Sequence, residues 1–347
     1  MKIYLLNFKK HGMKKNYVAL ALLLLAGCST DVKESDIKFA GDTGAKVSFS
    51  AVINNQEASD LTTRAGDTDW NSGDKVGITC GTNQVNIEYE YTGGENSLFT
   101  ATGGNAKEIW VLGTQEYDVT AYYPFTGTSG EEPIAVEVST NSENQATAKK
   151  REQIDFLYAA GKATAQTPNV KLAFNHVMSR VKLTFQAGEG VTLSDITCYL
   201  INLKTDGMFN PNTGVATVNE NAIAQDIVWN NVSDADNYTV QAILLPQTVG
   251  KEVYIQAGMN GYYYEVHFPN LTELKPGVSY NYTIQANKYE DNQFVLTITG
   301  ESTINGWNNI DNEPIESDPN VAGTDAETGN QNWTEKDPVV IIPTEKH

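Results

Sequence analysis

From Lys46 the chain alternates apolar and polar residues. Val47, Phe49, Ala51 and Ile53 fall on one side and Ser48 and Ser50 on the other, the period-2 signature of a strand with one buried face. The pattern returns at Val85, Ile87, Tyr89 and Tyr91, in the short apolar run Ile109–Leu112, and at Tyr117, Val119, Ala121 and Tyr123, where Pro124 ends the strand. It returns again at Ile134, Val136 and Val138, over Phe156–Ala160, and at Val170, Leu172 and Phe174. Gly-Gly pairs at 93–94 and 103–104 supply turns. About seven strands up to residue 174 are enough for one sandwich. The Ser/Asn/Gln/Lys-rich stretch 139–153 reads as a loop. Phe174–Arg180 is the one stretch with a helix-like spacing.

A second set of strands follows. Val181, Leu183 and Phe185 alternate, as do Ile196, Cys198 and Leu200, then Tyr238, Val240, Ala242 and Leu244 up to Pro246. Val253–Ala257, Tyr262–Phe268, Val278–Ala286 and Phe294–Ile298 complete the set, with turns at 210–214 and 275–277. Period-2 amphipathic strands bury one face only by packing on another sheet. The pattern therefore predicts an all-β chain of two consecutive antiparallel β-sandwich domains, over residues 45–175 and 176–310. Residues 311–337 read as a polar linker, and the segment 338–343, PVVIIP, as a short apolar strand near the chain end. Such a strand is an aggregation hazard unless housed. Two seats are open to it: an edge of its own domain, or a groove in a neighbouring molecule.

The first 44 residues are of another kind. Lys14 and Lys15 precede the apolar run Tyr17–Leu25, which is too short to span a bilayer. Leu25-Ala26-Gly27-Cys28 then reads as a lipobox, which makes 1–27 a lipoprotein signal peptide with Met13 as the natural start. Cys28 is the lipidated residue and 28–44 an acidic tether. The formal net charge is −19; the leader holds five lysines and no acids, leaving 19 basic against 43 acidic residues beyond it, or −24. That excludes a nucleic-acid partner, since phosphate binding needs Lys and Arg gathered on one face. An acidic exterior suits the cell surface. Only three arginines are present, Arg64, Arg151 and Arg180. Arg64 follows a polar linker after the first strand, which makes it an address for an Arg-specific protease.

Little in the chain points to catalysis. His176 and His267 are the only histidines between leader and terminus, no Cys/His pair has zinc spacing, and no phosphate loop or nucleophile elbow is present. The stretch from Asp67 to Asp74 starts like a calcium loop, but Ser72 stands where its turn glycine belongs and Ile78 where its final glutamate belongs, so it reads as a polar turn. His176, among Phe174, Val177 and Met178, reads as a core histidine. Cys80 and Cys198 read as buried thiols, with a disulfide the alternative. Tyr262–Tyr264 read as cross-strand pairs, with a sugar-stacking surface the alternative. No enzyme activity, cofactor or metal is expected.

Several stretches in order carry a resemblance. They are the lipobox Leu25–Cys28, the strand Val47–Ile53, Thr63-Arg64-Ala65, Trp70–Ile78, Leu172–Arg180, Leu245-Pro246-Gln247, Leu274–Tyr280 and Ile304–Trp307. Together they resemble the fimbrillins of Bacteroidales, lipoprotein subunits of type V pili, from Cys28 to about Trp307. The resemblance implies two transthyretin-like β-sandwiches and export to the outer face of the outer membrane on a lipid anchor. It implies cleavage by an Arg-specific surface protease between Arg64 and Ala65, which frees the strand carrying Val47, Phe49, Ala51 and Ile53. A strand of the next subunit then refills the groove, and Val339, Val340, Ile341 and Ile342 have the character of that donor. The partners so implied are other fimbrial subunits, the protease, and a host glycan or protein receptor. The alternative is a non-polymerising surface lipoprotein, either an anchor or tip subunit or a glycan- or protein-binding adhesin.

Overall fold

The computed structural model describes residues 44–54, 70–93, 98–193, 196–229, 237–259, 262–290, 293–305 and 344–345, all within one unit from Thr43 to His347. In the first half the strands are β1 (Ala45–Lys46), β2 (Ser48–Ile53), β3 (Lys75–Cys80), β4 (Gln84–Gly93), β5 (Leu98–Ala101), β6 (Trp110–Val111), β7 (Tyr117–Tyr123), β8 (Val136–Ser139), β9 (Leu157–Ala163) and β10 (Asn169–His176). Seven of them close into a barrel in the order β10-β2-β5-β4-β3-β7-β9. All pairs in it are antiparallel except β2 with β10, which run parallel. The two-stranded β1-β6 ribbon continues the line of β2. The alternation seen in sequence becomes the core: Val47, Phe49, Ala51, Val76, Ile78, Val119, Ala121, Leu172 and Phe174 all face inward. At Gly77 in β3 a Cβ would stand 2.4 Å from Cε1 of Tyr122, so a glycine is required where that ring crosses the strand. The Tyr122 hydroxyl donates to Asn86 Oδ1 at 2.8 Å.

The second half comprises β11 (Ser179–Ala187), β12 (Thr197–Lys204), β13 (Asp206–Asn210), β14 (Val215–Val218), β15 (Ala224–Trp229), β16 (Asn237–Leu244), β17 (Gln247–Thr248), β18 (Tyr254–Met259), β19 (Tyr262–His267), β20 (Glu273–Leu274), β21 (Val278–Glu290), β22 (Gln293–Asn305) and β23 (Thr344–Glu345). One sheet has the order β16-β11-β21-β22 and the facing sheet β15-β12-β18-β19-β23. Their inner faces share one core, with Leu183, Phe185, Cys198, Leu200, Ile255, Tyr282 and Ile284 at its centre. Here too one pair is parallel, β11 with β21. The chain is all-β sandwich in class. The parallel pairs and the barrel closure come from long-range pairing that a period-2 pattern does not encode.

The halves are stitched together. β8 pairs with β13, which pairs with β14, and beneath them Tyr122, Ile154, Phe156, Met178, Phe209 and Leu245 form a third apolar cluster. Phe156 and Phe209 stack at 4.3 Å.

Two local expectations change. Phe174–Arg180 is not helical: it is the end of β10, a joint at Val177-Met178, and the start of β11. The stretch 139–153 is instead where two short helices lie, α1 (Ser142–Gln145) and α2 (Ala148–Ile154). Asn141 caps the first by accepting from the Asn144 N–H, and Thr147 caps the second by accepting from that of Lys150.

Candidate functional site

The feature of most functional interest is the position of β2. It is an interior strand of the barrel, not an edge. On one flank it runs parallel to β10, from Ser48 opposite Asn169 to Ile53 opposite Phe174; on the other Phe49 lies opposite Phe99 of β5. The backbone N–H groups alternate between flanks. Ser48 N donates to Pro168 O (3.0 Å) and Asn54 N to Phe174 O (2.9 Å) on the β10 side, while Val47 N donates to Ile109 O (2.9 Å) on the other. Side chains fasten both ends: Lys46 pairs with Glu108, Ser48 donates to Asn169, and Asn54 Nδ2 donates to Asn175 Oδ1 at 2.8 Å.

The inward side chains are fully covered. Val47, Phe49 and Ala51 are 1%, 0% and 1% exposed, and Ile53 is half-buried at the end of the row. Burying residues of this kind stabilises by about 1.5–3 kcal/mol for each large side chain. Phe49 meets Tyr89 edge-to-face at 5.1 Å, and the Tyr89 hydroxyl accepts from Ile109 N at 3.0 Å. Burial pushes the Tyr89 phenol up to about 12 and the nearby Cys80 thiol up to about 11.

A residue whose role the sequence did not reveal sits beside this strand. The described chain resumes at Trp70, which is 9% exposed and meets Phe99 of β5 at 5.1 Å, Phe174 of β10 at 5.0 Å and Tyr123 at 5.4 Å, all edge-to-face. Its ring thus touches both strands that flank β2. A lone tryptophan before a polar turn carries no periodicity, so only its size hinted at a core role. The turn after it is closed by Asp74 N donating to Asn71 O at 2.9 Å and Asn71 N donating to Asp74 Oδ2 at 2.7 Å.

The remaining candidates are structural. His176 is buried, with Nδ1 2.9 Å from Asp155 Oδ1. Cys80 and Cys198 are both free and buried. Tyr263 and Tyr264 pair across β18–β19 with Gly258 and Ala257, and Tyr264 is buried. Among the described residues, no three His, Cys, Asp or Glu are grouped to hold a metal ion, and no helix is long and apolar enough to cross a membrane. Two of the three arginines are held in the folded body: Arg151 Nη1 donates to Gln145 O at 2.6 Å, and Arg180 is buried with Nε donating to Ser279 Oγ at 2.8 Å. Cys28, Arg64, Ala65 and the segment Val339–Ile342 lie outside the described residues.

Residues 63–307 match the family described as fimbrillin-like. The chain belongs to that family. This fimbrillin is 27% identical over 300 residues to a Bacteroides uniformis protein assigned as fimbrium subunit Fim1C, a match spanning 80% of this chain and 92% of that one. It is also similar to the crystal structure of a Bacteroides ovatus protein assigned to cell adhesion, with a TM-score of 0.63, 26% identity, and coverage of 78% of this chain and 100% of the other. A Bacteroides uniformis protein, likewise assigned to cell adhesion, shares the fold at a TM-score of 0.53 and 22% identity, with coverage of 76% and 98%. The family resemblance read from the motifs therefore holds.

Proposed function

We propose that this fimbrillin is a structural and adhesive fimbrial subunit. It reaches the outer membrane as a lipoprotein anchored on Cys28 and is cut between Arg64 and Ala65 by an Arg-specific surface protease. It then polymerises by strand exchange, the segment Val339–Ile342 of one subunit taking the place of β2 in the next. The relatives are assigned to fimbriae and adhesion, which supports the general role. The observation that carries the mechanism is the interior place of β2. Its loss would leave β5 and β10 with facing unpaired edges and an apolar slot between them. Each buried backbone group left without a partner costs about 1–3 kcal/mol, so the opened barrel has a strong drive to accept another strand.

The arginine arrangement supports Arg64 as the scission point. Arg151 and Arg180 are engaged within folded elements, and a protease needs an extended, accessible segment. A head-to-tail contact that repeats without closing gives a filament, so one cut per subunit suffices to drive assembly.

The test is terminal sequencing and gel analysis, without boiling, of the protein taken from its native cell surface. The expected result is an N-terminus at Ala65 and a ladder of oligomers, both lost in Arg64→Ala. A lipidated Cys28 on a single monomer band would instead favour a non-polymerising surface lipoprotein.

A further inference from the structure

We propose that the outer face of the β12-β18-β19 sheet is a platform that binds neutral saccharides on tyrosine rings, an inference that rests on the adhesive part of the proposed function. Strand alternation separates the two faces of the sheet. On the inner face Cys198, Leu200, Ile255, Ala257, Tyr264 and Val266 are buried in the sandwich core. The residues between them point away from that core and are half-buried or exposed. The run Tyr262–Tyr264 thus serves both readings of it, with Tyr264 inside and Tyr263 outside. The register aligns the outward residues across the strands. Tyr199 lies opposite Gln256 and Gln256 opposite Glu265, while Tyr254 lies opposite His267 and Gly258 opposite Tyr263. Three tyrosines and a histidine therefore share one face, in two ring pairs: Tyr199 with Tyr263 at 6.1 Å and Tyr254 with His267 at 5.1 Å.

The rings lie over the sheet. β18 separates β12 from β19, which puts those two strands about 9–10 Å apart at the usual strand spacing, yet the Tyr199 and Tyr263 rings are 6.1 Å apart. They lean toward one another across β18, and Gly258 makes the room: a Cβ there would stand 3.1 Å from Cε1 of Tyr263. Rings laid over a sheet turn a face to solvent, and that face is negative. The C–H bonds on one side of a pyranose are weakly positive and dock on it, while the sugar hydroxyls need polar partners beside the rings. Gln256 stands among the rings and can both donate and accept. The Tyr254 phenol bonds to Glu265 and the Tyr199 phenol to Tyr263. Burial is the main cause that holds both phenols above their usual range, so they remain protonated at neutral pH. Charge selects the ligand class. No lysine or arginine stands at the outward positions of Tyr199, Tyr254–Gly258 or Tyr263–His267. Glu265 is bonded by Tyr254 and lies 4.0 Å from His267 Nε2, and on β15 Asp226 accepts from Asn202 N at 3.0 Å. A sialylated or sulfated chain finds no cation here and meets the field of a chain at −19. A cationic peptide finds both carboxylates already engaged. A neutral, hydroxyl-rich ligand fits what is left.

The test uses the uncut full chain in a Cys28→Ser background, so polymerisation plays no part in it. The probes are lacto-N-tetraose, for animal glycans, and maltotetraose, cellotetraose and mannotetraose, for plant and microbial ones. Sialylated lacto-N-tetraose and tetralysine are the charged competitors. Binding is read by saturation-transfer NMR and calorimetry. At least one neutral probe should bind, and more tightly than either charged one. Tyr254→Ala and Tyr263→Ala should each weaken that binding about fivefold or more. Tyr254→Phe, which keeps the ring, should weaken it less than Tyr254→Ala. Trp110→Ala, which removes an exposed aromatic of the first half, should leave it unchanged. Gln256→Ala keeps every ring in place and should also weaken binding, which supplies the reading where a ring variant fails to fold. Binding of no neutral probe, tighter binding of the sialylated probe or of tetralysine, or an equal loss in Trp110→Ala would overturn the proposal. Scission of the same samples after Arg64 keeps the two readings apart. An oligomer ladder without sugar binding sinks the platform alone, and sugar binding without a ladder leaves the platform standing while strand exchange falls.

Discussion

The two halves use the same device and differ in how it is tethered. Among the described residues, each has one parallel pair inside an otherwise antiparallel framework: β2 with β10 in the barrel, β11 with β21 in the sandwich. In the sandwich both members are long and interior to the sheet, and β21 continues into the β21–β22 pairing that runs from Val278–Asn305 to Glu290–Gln293. Removing either would require two breaks in the chain. In the barrel, β2 is six residues long, lies with β1 near the start of the described residues, and is followed in sequence by residues 55–69 before the next described strand. On the proposed reading, a single scission there frees it. On the proposed strand-exchange reading, equal burial gives a permanent strand in one half and a removable one in the other, and chain connectivity makes the difference.

The comparison breaks most visibly with core truncations. Phe49 and Phe185 are both 0% exposed, so Phe49→Ala and Phe185→Ala should each destabilise the uncut chain by about 3–5 kcal/mol, read from denaturant midpoints. After scission at Arg64 and strand exchange, Phe185→Ala should retain its effect and Phe49→Ala should lose it. If Phe49→Ala still weakens the cut, assembled protein, β2 has not left.

Alkaline titration sharpens the same contrast. Burial pushes Tyr89 in the barrel and Tyr238 in the sandwich each up to about 12, while an unfolded tyrosine ionises near about 10. The folded state keeps these protons over that interval, so their contribution to stability is intact below about pH 10 and is lost as pH rises toward 12. Phe49 covers Tyr89, so a cut monomer with a vacant slot should show the Tyr89 titration moving toward 10, with Tyr238 unmoved. Tyrosinate absorbance of Tyr89→Phe and Tyr238→Phe variants assigns each step.

The smallest effect concerns the fastening of the strand end. Asn54→Ala removes the bond to Asn175 and should cost about 0.5–1.5 kcal/mol in the uncut chain only. Thr184→Ala, which removes an exposed cross-strand contact with Thr239 in the sandwich, should cost a similar or smaller amount before and after the cut. Thermal midpoints of the four samples make the comparison.

How far the fold was legible depended on range. Strands with one buried face showed themselves by period, as Val47–Ile53 and Tyr117–Tyr123 illustrate. The helices of 142–154 did not, because only Gln145 and Ile154 in them are buried. They are held by their Asn141 and Thr147 caps rather than by an apolar stripe, and the same polar residues read equally well as loop. The helix-like spacing of Phe174, Val177 and Met178 arises because a tight joint between two strands turns consecutive apolar residues into different cores. For the candidate site, the apolar rows of β2 and β10 were both visible, but strand β5 and the adjacency of β2 to its flanks were not. Leu98–Ala101 is too short to show a period, and parallel pairing with β10 joins residues 121 positions apart. Trp70 acquires its meaning only once β5 and β10 are seen on either side of the strand it follows.

The most direct test of the account is the size distribution of purified protein before and after scission by an Arg-specific protease, for the full chain and for a chain ending at Asp337. The account predicts that the cut full chain releases the segment containing β2 and runs as a ladder of denaturant-resistant oligomers, while the cut shortened chain remains monomeric. A cut full chain that stays monomeric with residues 45–53 still bound, or a ladder that forms equally well without the tail, would contradict it.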